Sequence, residues 1–132
     1  MLQNLLVYGG RGLLALLFVL AGLAKILGPK PFLAHMGEFE VPALLLPFVI
    51  ALEIGAGIAL MFGFQVRYSA GALGIFCILT AVIFHHQLHV PPERTLFFKD
   101  LALAGALIAL AAMSKAGGAA ALVHALPDPT PR

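Results

Sequence analysis

Four long stretches of the chain are almost entirely apolar, and short, more polar segments separate them. The stretches cover about residues 5–27, 42–62, 68–84 and 96–113. A helix needs about 20 mostly apolar residues to cross the hydrocarbon layer of a bilayer. The first two stretches meet that length, and the last two lie at its lower edge. The pattern therefore predicts an all-α protein, a bundle of four transmembrane helices with antiparallel, up-down topology.

The segments between the stretches are predicted loops, and the whole of residues 1–114 is predicted to form one transmembrane domain. Residues 115–132 end in PDPTPR and are predicted to be a short, flexible tail. Four spans place both termini on the same side. The eight Lys and Arg residues divide equally between the two sides, which gives little orientation bias. Arg11, Lys25 and Lys99 are expected to lie at membrane level. Without them, slightly more basic residues lie on the side of the termini, which weakly predicts cytoplasmic termini.

Composition supports membrane insertion and argues against other classes. Hydrophobic residues make up 61% of the chain and charged residues 11%, and the mean hydropathy is +1.02. Soluble domains carry about 25% charged residues, so a soluble helical protein would lack the polar surface it needs. The basic residues are scattered, whereas nucleic-acid binding requires a clustered basic face. Cys77 is the single cysteine, and its apolar surroundings predict a packing role.

Three ionisable residues interrupt the first two spans. Arg11 and Lys25 lie about 21 Å apart along a helix, and the hydrocarbon layer is about 30 Å thick, so their side chains must snorkel or find partners. Glu53 lies near the middle of the second span. A charge at that depth costs at least about 2.5 kcal/mol. Glu53 is therefore predicted to face inward, where it is paired, protonated or in contact with a wet cavity.

Depth along the antiparallel spans predicts which charges meet. Measured from the first loop, Arg11 lies about 24 Å deep and Glu53 about 16 Å deep. The planar guanidinium also suits a carboxylate, so an Arg11–Glu53 pair is predicted. Lys25 shares its level with the start of the fourth span, which predicts a Lys25–Asp100 pair, with Lys99 joining it or snorkelling. The alternative is that these charges only specify the helix register.

Small residues mark two helix faces that favour close packing. In the second span, Ala56 and Gly57 follow Glu53 by about one turn. The fourth span carries a longer series at helical spacing, formed by Ala102, Gly105, Ala106 and Ala109.

Three histidines end the third span. His85 and His89 share a face if the helix continues that far. A metal site needs three or four ligands, and His35 or Glu93 would have to complete this one. No metal site is therefore predicted, and His85 and His89 remain weak candidates. His85 is also a candidate for a proton-responsive or ligand-contacting role.

Four segments, in order, resemble the DoxX family of small four-helix bacterial membrane proteins. They are GRGLLALLFVLAGLAKILGP, ALEIGAGIALMFGF, FHHQLH and FFKDLALAGALI, and the resemblance covers about residues 8–113. Many relatives have Asn where this chain has Asp100, and an aromatic residue, often Trp, after the histidine, whereas this chain contains no Trp. The positions that match the family pattern are Arg11, Gly22, Lys25, Glu53, Gly57, Gly63, His85, Lys99, Asp100 and Gly105.

The resemblance implies a role for these positions. The charged and histidine positions become a candidate functional network within the membrane, and Gly22, Gly57, Gly63 and Gly105 become candidate helix-packing glycines. It also implies a multi-pass protein of the bacterial inner membrane. Some relatives are membrane subunits of thiosulfate:quinone oxidoreductases, and others are linked to thiol and oxidative-stress systems.

Three functions remain open at this point. The chain has no self-contained catalytic motif and no motif for a bound redox cofactor, so a redox role would require a quinone or a partner enzyme. The first hypothesis is therefore a quinone-interacting membrane subunit of a redox system. The alternatives are a non-catalytic scaffold or assembly factor, and a small-solute transporter that acts as a homo-oligomer. The lipid bilayer is the expected surrounding in each case, and nucleic acid is not an expected partner.

Overall fold

The computed structural model describes the backbone of residues 1–125 and the side chains of residues 1–114. Within these residues the chain forms helices and no strand, which confirms the all-α prediction. The elements in order are α1 (Leu2–Leu27), α2 (Lys30–Glu38), a 3-10 turn (Ala43–Leu45), α3 (Leu46–Phe62), α4 (Val66–Phe84) and α5 (Pro91–Ala125).

Four helical segments are long and apolar enough to cross a membrane, as predicted. They are Leu2–Leu27, Ala43–Phe62, Val66–Phe84 and Pro91–Ser114. The third and fourth spans begin earlier than predicted, so both reach the required length. Helix α5 continues to Ala125, into the segment that was predicted to be a flexible tail, and residues 126–132 lie outside the described residues.

The first loop contains a helix that the sequence analysis missed. Helix α1 ends at Leu27, and α2 begins three residues later at Lys30. Pro29 and Pro31 flank this first residue of α2. Proline fits the first turn of a helix because the backbone N–H that it lacks would have no helical acceptor there. The segment between the first two spans is therefore an ordered helix rather than an irregular loop.

The α3–α4 connection is tight. Helix α3 ends at Phe62, and the next residue, Gly63, has a φ of 77°, in the left-handed region that glycine adopts readily. Gln65 also has a positive φ, of 47°, before α4 begins at Val66. This short turn makes α3 and α4 antiparallel neighbours.

The bundle consists of two helix pairs. Helix α1 packs chiefly on α3, helix α4 packs chiefly on α5, and the pairs meet through α3 and α4. The buried core between them includes Ala15, Phe18, Leu60, Leu73 and Leu107. Many large apolar side chains point outward instead, such as Leu13 at 73% and Phe48 at 67% exposure. Contact of these side chains with lipid acyl chains is favourable, whereas their contact with water is unfavourable.

Glycines set the register between α1 and α3. A Cβ added to Gly22 would lie 2.5 Å from Cγ1 of Ile54 and 3.5 Å from Cβ of Glu53. A Cβ added to Gly57 would lie 3.0 Å from Cγ2 of Val19. Both glycines therefore lie where the two backbones approach closely, as a packing role requires.

The small-residue face predicted for α5 does not form the close contact between α5 and α4. Nothing lies within 4 Å of a Cβ added to Gly105, and α5 instead buries Ala104 and Leu107. The close approach to α5 comes from Gly74 of α4, where an added Cβ would lie 3.5 Å from the carbonyl oxygen of Ala104. The prediction is therefore wrong for Gly105, and Ala102 and Ala106 of the same series line a cavity instead of a close helix contact.

Candidate functional site

A large, half-open cavity lies within the bundle. Its volume is about 900 Å³, and all five helices contribute to its walls. This volume falls within the range of about 300–1,000 Å³ that is typical of small-molecule sites. The walls are mostly apolar and include Leu17, Phe18, Met36, Val49, Phe76 and Leu103. The few polar side chains on these walls therefore determine what chemistry the cavity offers.

The first polar group in the wall is an ion pair between α1 and α3. Nζ of Lys25 lies 2.9 Å from Oε2 and 3.1 Å from Oε1 of Glu53. The ammonium also lies 3.5 Å from the carbonyl oxygen of Ala21 and 4.9 Å from the ring centroid of Phe32. The Lys25 side chain is 14% exposed and that of Glu53 is 4% exposed. Both charges are thus neutralised at the cavity wall, away from bulk water.

This pairing corrects the predicted Arg11–Glu53 contact. Because Gly22 faces Glu53, the register places Lys25 about 4–5 Å from the level of Glu53 and Arg11 about 16 Å away. The predicted Arg11–Glu53 contact requires the ends of the first two spans to lie at the same depth beside the first loop. In the structure α1 and α3 are staggered, and the long Lys25 side chain covers the remaining distance.

Arg11 lies at the opposite end of α3, beside Gly63. A Cβ added to Gly63 would lie 3.0 Å from Nη2 of Arg11, and the guanidinium carbon is 5.1 Å from the ring centroid of Tyr8. The end of α3 carries partial negative charge on its free carbonyl groups, which attracts this cation. Nε of Arg11 is buried and has no hydrogen-bond partner among the described residues. Gly63 therefore allows the backbone to turn and leaves room for the Arg11 side chain. It does not lie between two packed helix faces, as was predicted.

The second polar group in the cavity wall joins α4 to α5. Nδ1 of His85 lies 2.8 Å from Oε2 of Glu93, and Nε2 of the same ring lies 3.8 Å from Oδ2 of Asp100. Oδ2 of Asp100 is buried and accepts no hydrogen bond within the described part of the chain. The predicted Lys25–Asp100 pair is therefore wrong, since His85 is the basic neighbour of Asp100 and Glu53 holds Lys25.

Lys99 and Cys77 are two further ionisable residues that line the cavity. Lys99 is exposed and borders the cavity beside Asp100. Cys77 lines the cavity from α4 and is 3% exposed, as part of the apolar core. The packing role predicted for Cys77 agrees with this position, but nothing in the pattern of residues around Cys77 indicates that its thiol borders a cavity.

Aromatic rings cover the cavity on the side of α2. The ring of His35 stacks on Phe84 at a centroid distance of 5.2 Å and meets the edge of Phe39 at the same distance. Its centroid lies 6.3 Å from that of His85. Phe32, His35 and Met36 of α2 all line the cavity. This cover is not predictable from the apolar pattern, because the segment between the first two spans has the composition of a loop.

The two weak metal candidates do not share a helix face. Helix α4 ends at Phe84, so His85 and His89 lie in the turn that follows it. In the part of the chain that the structure describes, no group of three or more His, Cys, Asp or Glu side chains is placed to hold a metal ion. His85 instead faces the two carboxylates described above.

Comparison with known proteins identifies the family. The family model described as DoxX matches residues 6–86, which is more than half of the chain. The chain belongs to the DoxX family. The match includes the Lys25–Glu53 pair and His85, and it ends before Glu93 and Asp100.

Two curated relatives of this DoxX protein come from Escherichia coli (strain K12). The inner membrane protein YqjF is 36% identical over 110 residues, which cover 83% of this chain and 85% of the relative. The inner membrane protein YphA is 31% identical over 103 residues, which cover 73% of this chain and 74% of the relative. No solved structure matches the chain. This protein is therefore an integral membrane protein of the DoxX family.

Proposed function

We propose that this protein resides in the inner membrane and binds a quinone in the cavity, as a membrane subunit or partner of a redox system. One observation carries the proposal: a cavity of about 900 Å³ with apolar walls contains two separate polar groups, Lys25–Glu53 and His85–Asp100. The inner-membrane names of the two relatives support the location.

The chemistry of a quinone fits these walls. Its ring and the start of its tail are apolar and gain from burial against Leu, Val and Phe side chains. Its two oxygens require donors when it is oxidised and acceptors when it is reduced. Lys25 and His85 carry N–H donors, and Glu53 and Asp100 carry carboxylate acceptors. Because the cavity is half-open, a membrane-soluble ligand can enter without separation of the two helix pairs.

A scaffold without a ligand is the second candidate, and one specific observation favours it. The Lys25–Glu53 pair lies beside Gly22, so it also fixes the register of α1 against α3. A protein that serves only as an assembly surface needs this pair for structure and gains nothing from the cavity. A substitution that fills the cavity should therefore impair a quinone-binding protein and leave a scaffold unaffected.

The test compares two substitutions on α5. Ala106 lines the cavity, whereas Ala109 is an exposed alanine on the same helix that does not line it. The purified protein is titrated with a short-chain benzoquinone, and quinone that remains bound after extraction is measured. We expect wild type and Ala109→Leu to bind equally, and Ala106→Leu to bind about tenfold more weakly, because an overfilled cavity costs about 1–3 kcal/mol. Wild-type protein with no bound quinone and no affinity for the analogue would overturn the proposal in favour of the scaffold.

A further inference from the structure

We propose that Glu93, His85 and Asp100 form a proton relay from the surface at the start of α5 to the cavity. This inference rests on the proposed quinone site, because it gives the transferred protons a destination. It adds a function for Glu93, which does not line the cavity and which the sequence analysis considered only as an incidental metal ligand.

The three side chains form a connected series that ends at the cavity, and those of His85 and Asp100, at 15% and 21% exposure, are both less exposed than that of Glu93. Glu93 lies in the first turn of α5, and its side chain is 26% exposed. Its Oε2 lies 2.8 Å from Nδ1 of His85, whose side chain is 15% exposed. Asp100 follows Glu93 by about two turns, or about 10 Å along α5, and borders the cavity. The imidazole of His85 therefore spans the interval between a carboxylate near the surface and a carboxylate at the cavity.

The arrangement suits proton transfer better than simple charge pairing. Each ring nitrogen of His85 faces a different carboxylate, so the ring can accept a proton on one nitrogen and release one from the other. Chains of Asp, Glu and His side chains within membranes commonly serve as proton relays.

The inner end of the relay is free to exchange its proton. Oδ2 of Asp100 is buried and accepts no hydrogen bond among the described residues. Its distance of 3.8 Å from Nε2 of His85 is too long for a direct hydrogen bond. Proton transfer between the two groups therefore requires this gap to close, by rotation of a side chain or through a bridging water molecule, and Asp100 itself borders the cavity. Asp100 can thus accept a proton from His85 and donate it to a bound molecule.

The other ionisable groups near His85 do not interrupt this path. From α2, the ring centroid of His35 lies 6.3 Å from that of His85, and its Nδ1 lies 3.5 Å from Oε2 of Glu38. From α1 and α3, Lys25 and Glu53 neutralise each other. The remaining ionisable groups that border the same cavity are Lys99 of α5 and Cys77 of α4. Of all these groups in the described residues, only Glu93 and Asp100 lie within 4.0 Å of the His85 ring nitrogens.

The relay meets a definite chemical requirement. Reduction of a quinone takes two electrons from a reductant and two protons from water, and it forms an O–H bond at each of the two oxygens. The electrons come from a low-potential donor, for which dithionite substitutes in the test. The relay supplies the protons one at a time to the cavity, and it removes them when the quinol is oxidised.

The test separates quinone binding from proton delivery. Wild type and variants in nanodiscs are loaded with a short-chain benzoquinone, its affinity is measured, and the bound quinone is then reduced with dithionite in a stopped-flow instrument. Glu93→Gln and His85→Ala are compared with Glu40→Gln and His86→Ala, which change an exposed carboxylate and the neighbouring exposed histidine. The size-exclusion profile and helical circular dichroism of each variant establish that it is folded. His85→Ala is also measured with added 4-methylimidazole.

We expect Glu93→Gln to bind the quinone as wild type does but to reduce it at least about tenfold more slowly. We expect His85→Ala to be slow as well and to recover with 4-methylimidazole, which a purely structural defect would not do. Rates equal to those of the two controls, with quinone binding intact, would overturn the relay and leave the quinone site standing. Failure of wild type to bind any quinone would overturn the proposed function and the relay together. If His85→Ala does not fold, Glu93→Gln decides the question alone, because Glu93 lies outside the cavity.

Discussion

Nζ of Lys25 lies 2.9 Å from Oε2 of Glu53, although the two residues are 28 positions apart and belong to different spans. Both side chains are nearly sequestered from water, with 14% and 4% exposure. Removing one member of such a pair leaves the other as an uncompensated charge, whereas removing both leaves an apolar contact. The pair therefore couples the stability of α1 to that of α3.

The first prediction concerns this coupling. We expect Lys25→Met and Glu53→Leu each to destabilise the protein by about 3–5 kcal/mol, and the double variant to be more stable than either single variant. Unfolding in detergent, followed by circular dichroism, measures the free energies for a double-mutant cycle. Lys30→Met, at an exposed lysine of α2, is the control and is expected to change little. A double variant that loses the sum of the two single effects would show that the residues are not coupled.

The second prediction concerns the close approach of α1 and α3. We expect Gly22→Ala to destabilise the protein by about 1–3 kcal/mol, because the new methyl group would overlap Ile54. Adding Ile54→Ala should restore part of that loss by making room. Gly105→Ala is the matched control, since nothing lies within 4 Å of its added methyl group, and it should be neutral or slightly stabilising. Equal effects at Gly22 and Gly105 would contradict the observed register.

The third prediction concerns the turn after α3. We expect Gly63→Ala to destabilise the protein by about 1–2 kcal/mol from its positive φ alone, with a further loss from the contact with Arg11. In an Arg11→Leu background the same substitution should cost less, because the guanidinium is gone and only the backbone term remains. Thermal unfolding of the four proteins measures both terms. Identical costs in the two backgrounds would rule out a contribution from Arg11.

The fourth prediction uses the single thiol as a reporter of the cavity. Cys77 is 3% exposed and lines the cavity, so a small thiol reagent must enter the cavity to reach it. We expect slow labelling of wild type in nanodiscs, slowed several-fold further by a short-chain benzoquinone that is substituted at every ring position and so does not itself add to thiols. The control is Cys77→Ser/Ala109→Cys, whose exposed thiol on the outside of α5 should label quickly with or without the quinone. Protection that is equal at both positions would indicate a non-specific effect of the quinone on the bilayer.

The spans were predictable from the sequence because the signal is local. Each span is a continuous apolar stretch, and the length required to cross a bilayer is fixed by the membrane. The inward position of Glu53 was predictable for a similar reason, since a carboxylate cannot face acyl chains without a large cost. Neither inference needs knowledge of how the helices pack.

The contacts between helices were not predictable in the same way. The partner of Glu53 depends on the stagger between α1 and α3, which is set by the contact of Gly22 with Ile54 and Glu53. A shift of about six residues, to the register in which the span ends are level, brings Arg11 closer to Glu53 than Lys25 is. The spans by themselves do not specify that shift. The cavity is still less visible in the sequence, because its walls come from five helices and it consists of the space that their side chains leave unfilled.

The Lys25–Glu53 pair also constrains how the protein enters the membrane. During synthesis the ammonium leaves the ribosome well before its carboxylate, so the first span reaches the lipid with an unneutralised charge near its end. Until the second span folds back against the first, that ammonium must snorkel to the membrane surface, and it gains its buried partner only when the two spans pair. The nascent chain is thus expected to integrate as a helical hairpin, and a pause between the two spans would leave the first one vulnerable to membrane quality-control proteases.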